Sequence, residues 1–289
     1  MSISRSLSAR AGERAAVAIV TLLLAATALA GAAWAGFPLI GSAQAATRDY
    51  HFRVVGSEHG LAQNSVTAFA EDGEGFVWVG TQGGLHRYDG QRYQLFRHDP
   101  RDKASLPDSY VTAIAVDGRD ALWVGTYSEF LARLDLHTGA IRRFTVDGGA
   151  APGSPRKQVL AVLPVDKQVW VGTAAGLLRF DPRTGRSVTL LRVDPRVVAP
   201  SPNQALVRDR DRAVWYASAA GLYRFGAGGG MERIDAGTTR ALAFDRDGRL
   251  WVGKPDGLYR LRDDGRTLLR VWPRDGDDNA GATDVRSIA

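Results

Sequence analysis

Phe76-Val77-Trp78-Val79-Gly80-Thr81 returns as Leu122-Trp123-Val124-Gly125-Thr126 and as Val169-Trp170-Val171-Gly172-Thr173. A worn copy follows, Val214-Trp215-Tyr216-Ala217-Ser218, and then Leu250-Trp251-Val252-Gly253-Lys254. The steps between tryptophans are 45, 47, 45 and 36 residues. A short apolar strand core recurring at about 45 residues marks propeller blades; helical repeats of similar length lack it.

The neighbours of each core recur too. Six residues after the Trp stands a glycine (Gly84, Gly176, Gly221, Gly257), followed at once by leucine. Nine after it stands an arginine (Arg87, Arg179, Arg224, Arg260); in the second copy this slips one place to Arg133. Six before it stands an aspartate (Asp72, Asp117, Asp209, Asp245), and the third copy is a residue short here. Translated into structure, Val66–Ala70 is a strand and Asp72–Gly75 a turn. Phe76–Val79 is the second strand, Leu85–Tyr88 the third and Tyr93–Phe96 the fourth, with Asp and Gly supplying the turns between them. Four antiparallel strands per repeat make one blade of an all-β propeller.

Asp284-Val285-Arg286-Ser287-Ile288-Ala289 restarts the phrase, with Ile288 aligned to Phe69, Ile114, Leu206 and Leu242. The sequence therefore predicts about five blades plus one strand, an incomplete ring. Tyr50–Val55 looks like a fourth strand with no blade before it. Both ends are expected to be unpaired edges.

The phrases Asn64–Asp72, Trp78-Val79-Gly80-Thr81 and Gly83–Asp89 resemble the two-component regulator propeller repeat. The resemblance covers residues 50–289, with copies one, three and five matching well and copies two and four departing as described. It implies the periplasmic sensor region of hybrid histidine kinases and related receptors. In that family a small β-sandwich, a membrane helix and a cytoplasmic histidine kinase or diguanylate cyclase usually follow. On this reading the chain is an N-terminal fragment that senses without catalysing. Its implied partners are an extracellular ligand, with carbohydrates among the classes admitted, the downstream domains of the same receptor, and a second copy in a full-length homodimer. The alternatives are the sensor region of a diguanylate cyclase, or an envelope propeller that is an enzyme or a scaffold.

The N-terminus reads as an address. Arg5, Arg10 and Arg14 precede an apolar run from Ala15 to about Ile40. Ala43-Gln44-Ala45 offers a small-residue cleavage site, with Ala33-Trp34-Ala35 a second candidate. Residues 1–45 are expected to be a signal peptide, or else an uncleaved membrane anchor, and 46–289 the partial propeller. Either way the propeller is expected in the periplasm, and the full-length receptor in the inner membrane.

Composition narrows the remaining classes. There is no cysteine, so there is no disulfide or thiolate metal site. Arg5, Arg10, Arg14 and Glu13 account for +2 of the formal +6. The rest is scattered, so no nucleic-acid partner is expected. His51, His59, His86, His98 and His137 form no metal-binding pair and read as surface residues. Asp209-Arg210-Asp211 and Asp245-Arg246-Asp247-Gly248 open like calcium loops but lack the closing glutamate, so they read as turns. Gly226–Gly230 lacks the Gly-Lys-Ser/Thr of a phosphate loop and reads as a hairpin. The repeated Trp and Arg read as inter-blade packing and as ties between strands or turns. No catalytic residue, cofactor site or metal site is predicted. Ligand contacts are expected in the irregular stretches Tyr127–Phe130, Gly148–Lys157 and Asp194–Asn203, because loops escape the repeat.

Overall fold

The computed structural model describes residues 56–128, 130–146, 158–193, 205–274 and 283–288. The leader, Tyr50–Val55 and the stretches Gly148–Lys157 and Asp194–Asn203 lie outside the described residues.

Within the unit Val54–Ala289 the chain folds as five four-stranded antiparallel sheets, each one repeat. Blade one is β1 (Val66–Glu71), β2 (Val77–Thr81), β3 (Gly84–Tyr88) and β4 (Tyr93–Phe96). Blade two is β5 (Val111–Asp117), β6 (Ala121–Thr126), β7 (Phe130–Asp135) and β8 (Ile141–Thr145). Blade three is β9 (Val159–Val165), β10 (Gln168–Thr173), β11 (Gly176–Asp181) and β12 (Arg186–Arg192). Blade four is β13 (Ala205–Arg208), β14 (Val214–Ser218), β15 (Gly221–Phe225) and β16 (Met231–Asp235). Blade five is β17 (Ala241–Phe244), β18 (Leu250–Lys254), β19 (Gly257–Leu261) and β20 (Leu268–Trp272).

The repeated residues hold each blade flat against the next. The glycine of the Trp-Val-Gly phrase is where the next blade's first strand comes closest. A Cβ on Gly80 would lie 2.7 Å from Val111 Cγ1, and one on Gly125 2.5 Å from Val159 Cγ1. The hydroxyls of Thr67 and Thr112 donate to the carbonyls of the same Val111 and Val159. Trp78, Trp123 and Trp215 are buried; Trp170 and Trp251 are only partly so. All five occupy equivalent strand positions, and the inter-blade packing expected of them is complete for three and partial for two.

The tryptophan is pinned by its aspartate. The indole N–H donates to Asp72, Asp117, Asp209 and Asp245 in blades one, two, four and five, at 2.7, 2.9, 2.9 and 3.0 Å. Three of these carboxylates, Asp72, Asp209 and Asp245, also cap the turn that follows, as when Asp209 Oδ1 accepts the Ala213 amide at 2.7 Å. Each repeat arginine lies directly across the ladder from its tryptophan, Arg133 included. The guanidinium stacks on aromatic faces: Arg87 sits 3.6 Å from the Phe76 ring centroid and Arg224 5.7 Å from that of Trp215, while Arg87 also reaches Glu74 of the preceding turn at 4.0 Å. Arg87 Nε and Arg179 Nε are buried without a hydrogen-bond partner.

The ring is not closed among the described residues. On β1, Phe69 is 68% exposed and Val66 49%, whereas their equivalents in later blades are covered by the preceding blade. The expected sixth strand carries no ladder. It is docked instead: the Val285 amide donates to the Lys254 carbonyl at 3.0 Å, and Val285 packs on Gly253 as Val111 packs on Gly80. No Trp-bearing strand pairs with it among the described residues, which is what an innermost strand needs to form its ladder.

Candidate functional site

Most polar residues singled out in the sequence are consumed by the fold. Both oxygens of Asp245 are engaged, by the Arg249 amide and the Trp251 indole, and these donors hold its carboxyl below the usual range. Gly226–Gly230 is the β15–β16 hairpin, closed by bonds between Gly226 and Gly230. Among the described residues no cluster of three His, Cys, Asp or Glu is arranged to hold a metal.

The histidines divide. His98 bonds the Leu106 carbonyl and His137 meets Asp120 at 3.1 Å, both near the surface. His86 corrects the surface reading. It is fully buried, its Nε2 accepts the Ala62 amide at 2.8 Å, and burial holds its pKa below the ordinary 6.5. The sequence hides this because Ala62 lies 24 residues away, on the segment that enters blade one.

One surface cluster is not consumed. In blades one, three, four and five, two residues separate the Thr, Ser or Lys of the repeat phrase from its glycine. Blade two has three, Tyr127-Ser128-Glu129. The Thr126 hydroxyl accordingly donates to Phe130 O, four residues on, where Thr81 and Thr173 reach a glycine carbonyl three residues on. The longer loop removes the need for a left-handed glycine, so Phe130 replaces it. The insertion also explains why Arg133 slips in sequence but not in register.

Tyr127, the first residue of this longer loop, stands clear of the blade. It is 47% exposed and stacks face to face on Tyr110, with centroids 4.7 Å apart and rings 4° from parallel. The Tyr127 amide also donates to the Tyr110 carbonyl at 2.9 Å. Tyr110 Oη accepts Gln82 Nε2 at 3.4 Å, and Gln82 Oε1 accepts Gln63 Nε2 at 3.1 Å. Two rings and two amides thus run across the entry loops of blades one and two and their β2–β3 and β6–β7 turns. The loop carrying Tyr110 is clamped by Arg143 of β8, which donates to the carbonyls of Asp102 and Ser105 at 2.8 Å. Flat apolar faces edged by amide and hydroxyl groups bind ligands by stacking plus directional hydrogen bonds. Of the three stretches expected to contact ligand, Tyr127–Phe130 is the one that, Glu129 apart, falls in the described residues.

Residues 60–83 and 105–128 match the family model described as two component regulator propeller. Two stretches of the chain, in blades one and two, thus carry the two-component regulator propeller repeat. The two matched segments run from the loop residues before β1 and β5 into the β2–β3 and β6–β7 turns, and so include Gln63, Gln82, Tyr110 and Tyr127. Over 65 residues the chain is 34% identical to histidine kinase P4 of Formosa agariphila, which is 22% of this chain and 5% of that protein. Among solved structures it is similar to the extracellular domain of a protein assigned as a hybrid two-component system of B. thetaiotaomicron. That likeness has TM-score 0.54 and 20% identity, covering 80% of this chain and 38% of the other. A second such extracellular domain gives 0.52 and 22%, covering 78% and 35%. PorZ, a surface component of the type IX secretion system of Porphyromonas gingivalis, gives 0.52 and 18%, covering 71% and 33%. At these identities the structural likeness speaks for the fold. The matched repeats together with the fold support a sensor-type propeller. No helix among the described residues is long and apolar enough to cross a membrane.

Proposed function

We propose that this chain is the periplasmic ligand-sensing propeller of a transmembrane two-component receptor, exported by residues 1–45, and that ligand docks on the Tyr110–Tyr127 face. The observation that carries the reading is the one-residue insertion of blade two. The lengthened loop opens on a half-exposed ring that stacks on Tyr110 and that blade packing does not use. Signal then passes to the downstream domains of the receptor and its dimer partner, and a ligand shifts that equilibrium only by its differential affinity for the two states. An oligosaccharide suits a face of two rings and two amides.

The test is a panel of neutral oligosaccharides titrated against the chain by calorimetry, with Tyr127→Ala and Gln82→Ala beside the native protein. Saturable binding lost in both variants, at unchanged unfolding midpoint, supports the reading. Binding that survives both places the ligand elsewhere. The likeness to PorZ supports a second reading, an envelope scaffold that binds protein alone. Under that reading no sugar binds, and a protein partner is lost with substitutions at the exposed Val66 and Phe69.

A further inference from the structure

We propose that the cleft between blades three and four binds a small organic anion, a carboxylate on an apolar body. This goes beyond the sensing face and does not depend on it.

The argument begins with a missing residue. In four blades the aspartate six before the tryptophan accepts the indole N–H. In blade three that position is Pro164 and the turn is a residue shorter. The aspartate there, Asp166, takes a left-handed conformation at φ 57°. Its carboxylate turns away to blade four, 3.5 Å from Arg208 and 3.2 Å from Arg212. No carboxylate of the described chain receives the indole N–H of Trp170, whose ring stands edge-on to Phe225 at 5.3 Å and is partly open to the cleft.

The walls then fix the chemistry. The cleft measures about 810 Å³ and is lined by Trp170, Val214, Phe225 and Leu190 on its apolar side. Lys167, Arg179, Arg208 and Arg212 also line it, against the single acid Asp166. Arg179 Nε and Arg208 Nε are buried with no partner. The corresponding cleft between blades four and five has seven carboxylates facing six guanidiniums, and its tryptophan is already bonded to Asp209. Excess positive charge therefore belongs to the blade three–four cleft, where a low-dielectric wall concentrates its field. A ligand carboxylate there supplies in trans the acceptor that the other blades supply from their own turns. Guanidiniums satisfy its second oxygen, and the apolar wall takes its body. The volume suits a small molecule.

Benzoate, its neutral isostere benzamide and inorganic phosphate are titrated against the full chain, with the tryptophan indole N–H signals followed by NMR. Benzoate is expected to move one indole signal saturably, and Trp170→Phe to remove that signal. Benzamide should bind about tenfold weaker or worse, since a charged hydrogen bond is lost. Trp170→Phe keeps the ring and drops the donor, so it should weaken benzoate about tenfold. Arg212→Asn tests charge at an exposed side chain, with a residue that tolerates the φ of 67° found there, and should weaken benzoate severalfold. Tyr127→Ala should leave benzoate binding unchanged whatever it does to sugars. Equal binding of benzamide, preference for phosphate, a signal that persists in Trp170→Phe, or no saturation would each overturn the proposal.

Discussion

Trp78 Nε1 donates to Asp72 Oδ2 at 2.7 Å while Asp72 Oδ1 accepts the amides of Glu74 and Phe76 at 3.0 and 3.1 Å. One buried carboxylate therefore fixes both the turn that aims β2 and the ring that fills the blade interface. Asp72→Ala leaves three donors in search of an acceptor, at a cost of about 2–3 kcal/mol. Asp72→Asn keeps one oxygen acceptor and should recover part of that. Urea unfolding of the two variants checks this; a loss below about 0.5 kcal/mol in the alanine variant would mean that water serves the turn as well as Asp72 does.

Gly176 is held at φ 129°, and a Cβ there would sit 2.0 Å from the Leu191 carbonyl oxygen of β12. Backbone cannot yield as a side-chain tip can. Gly185, at φ 71°, has nothing within 4 Å of its Cβ position. Gly185→Ala should cost about 1 kcal/mol, the price of the left-handed conformation alone. Gly176→Ala should cost clearly more, because the strand β12 must shift as well. Equal costs, measured by thermal unfolding, would remove the steric argument and leave only φ.

What the sequence makes legible follows the repeat. Trp78, Arg87 and Gly84 recur at fixed spacing because blades are copies, so strand order and turn positions can be read from them. The spacing of Asp72 and Trp78 is equally visible, yet it reads as a turn; the indole bond appears only once β1 and β2 are paired. Features that break the repeat are harder. The slip to Arg133 looks like decay, whereas it records an inserted loop residue that leaves the ladder in register. Tyr110 and Tyr127 are 17 residues apart on opposite ends of two strands. Nothing in local composition says that they stack. The Trp170 cleft is legible only as an absence, the missing residue between Leu163 and Trp170, and its charge comes from blade four.

His86 gives a pH dependence with a definite sign. In the unfolded chain its imidazole titrates near 6.5; in the fold its pKa is lowered, chiefly by burial, with the Arg97 charge assisting and the Val79 carbonyl opposing. The folded protein thus refuses a proton that the unfolded chain accepts. Its contribution is complete above about pH 6.5 and is lost as the pH falls from there toward the lowered value. Titrating carboxylates act on any variant, so the difference is what counts. His86→Gln, which can still accept from Ala62, should lose less stability between about pH 8 and 5 than the native chain. Parallel loss in the two proteins, by urea midpoint, would mean that His86 is not the group responsible.

Val285 stands on Gly253 as Val111 stands on Gly80, three positions before Ile288 and Ile114 respectively. A Cβ on Gly253 would lie 2.7 Å from the Val285 carbonyl oxygen and 2.8 Å from Val285 Cγ1. Residues 283–288 have no ladder of their own. They are held by the Val285 amide on Lys254 O, the Thr283 hydroxyl on Pro255 O and the Arg240–Asp284 ion pair. Few contacts and no strand partner put this segment at the low end of local stability. Gly253→Ala should therefore release it before it disturbs blade five. Hydrogen exchange reads this directly: the Val285 amide should lose protection while the amides of β18 and β19 keep theirs. Arg240→Gln, which removes the ion pair without touching the steric contact, should release the segment less completely. If β18 loses protection together with Val285, the segment and blade five open as one unit, and the docking seen at Gly253 is part of the blade instead of an addition to it.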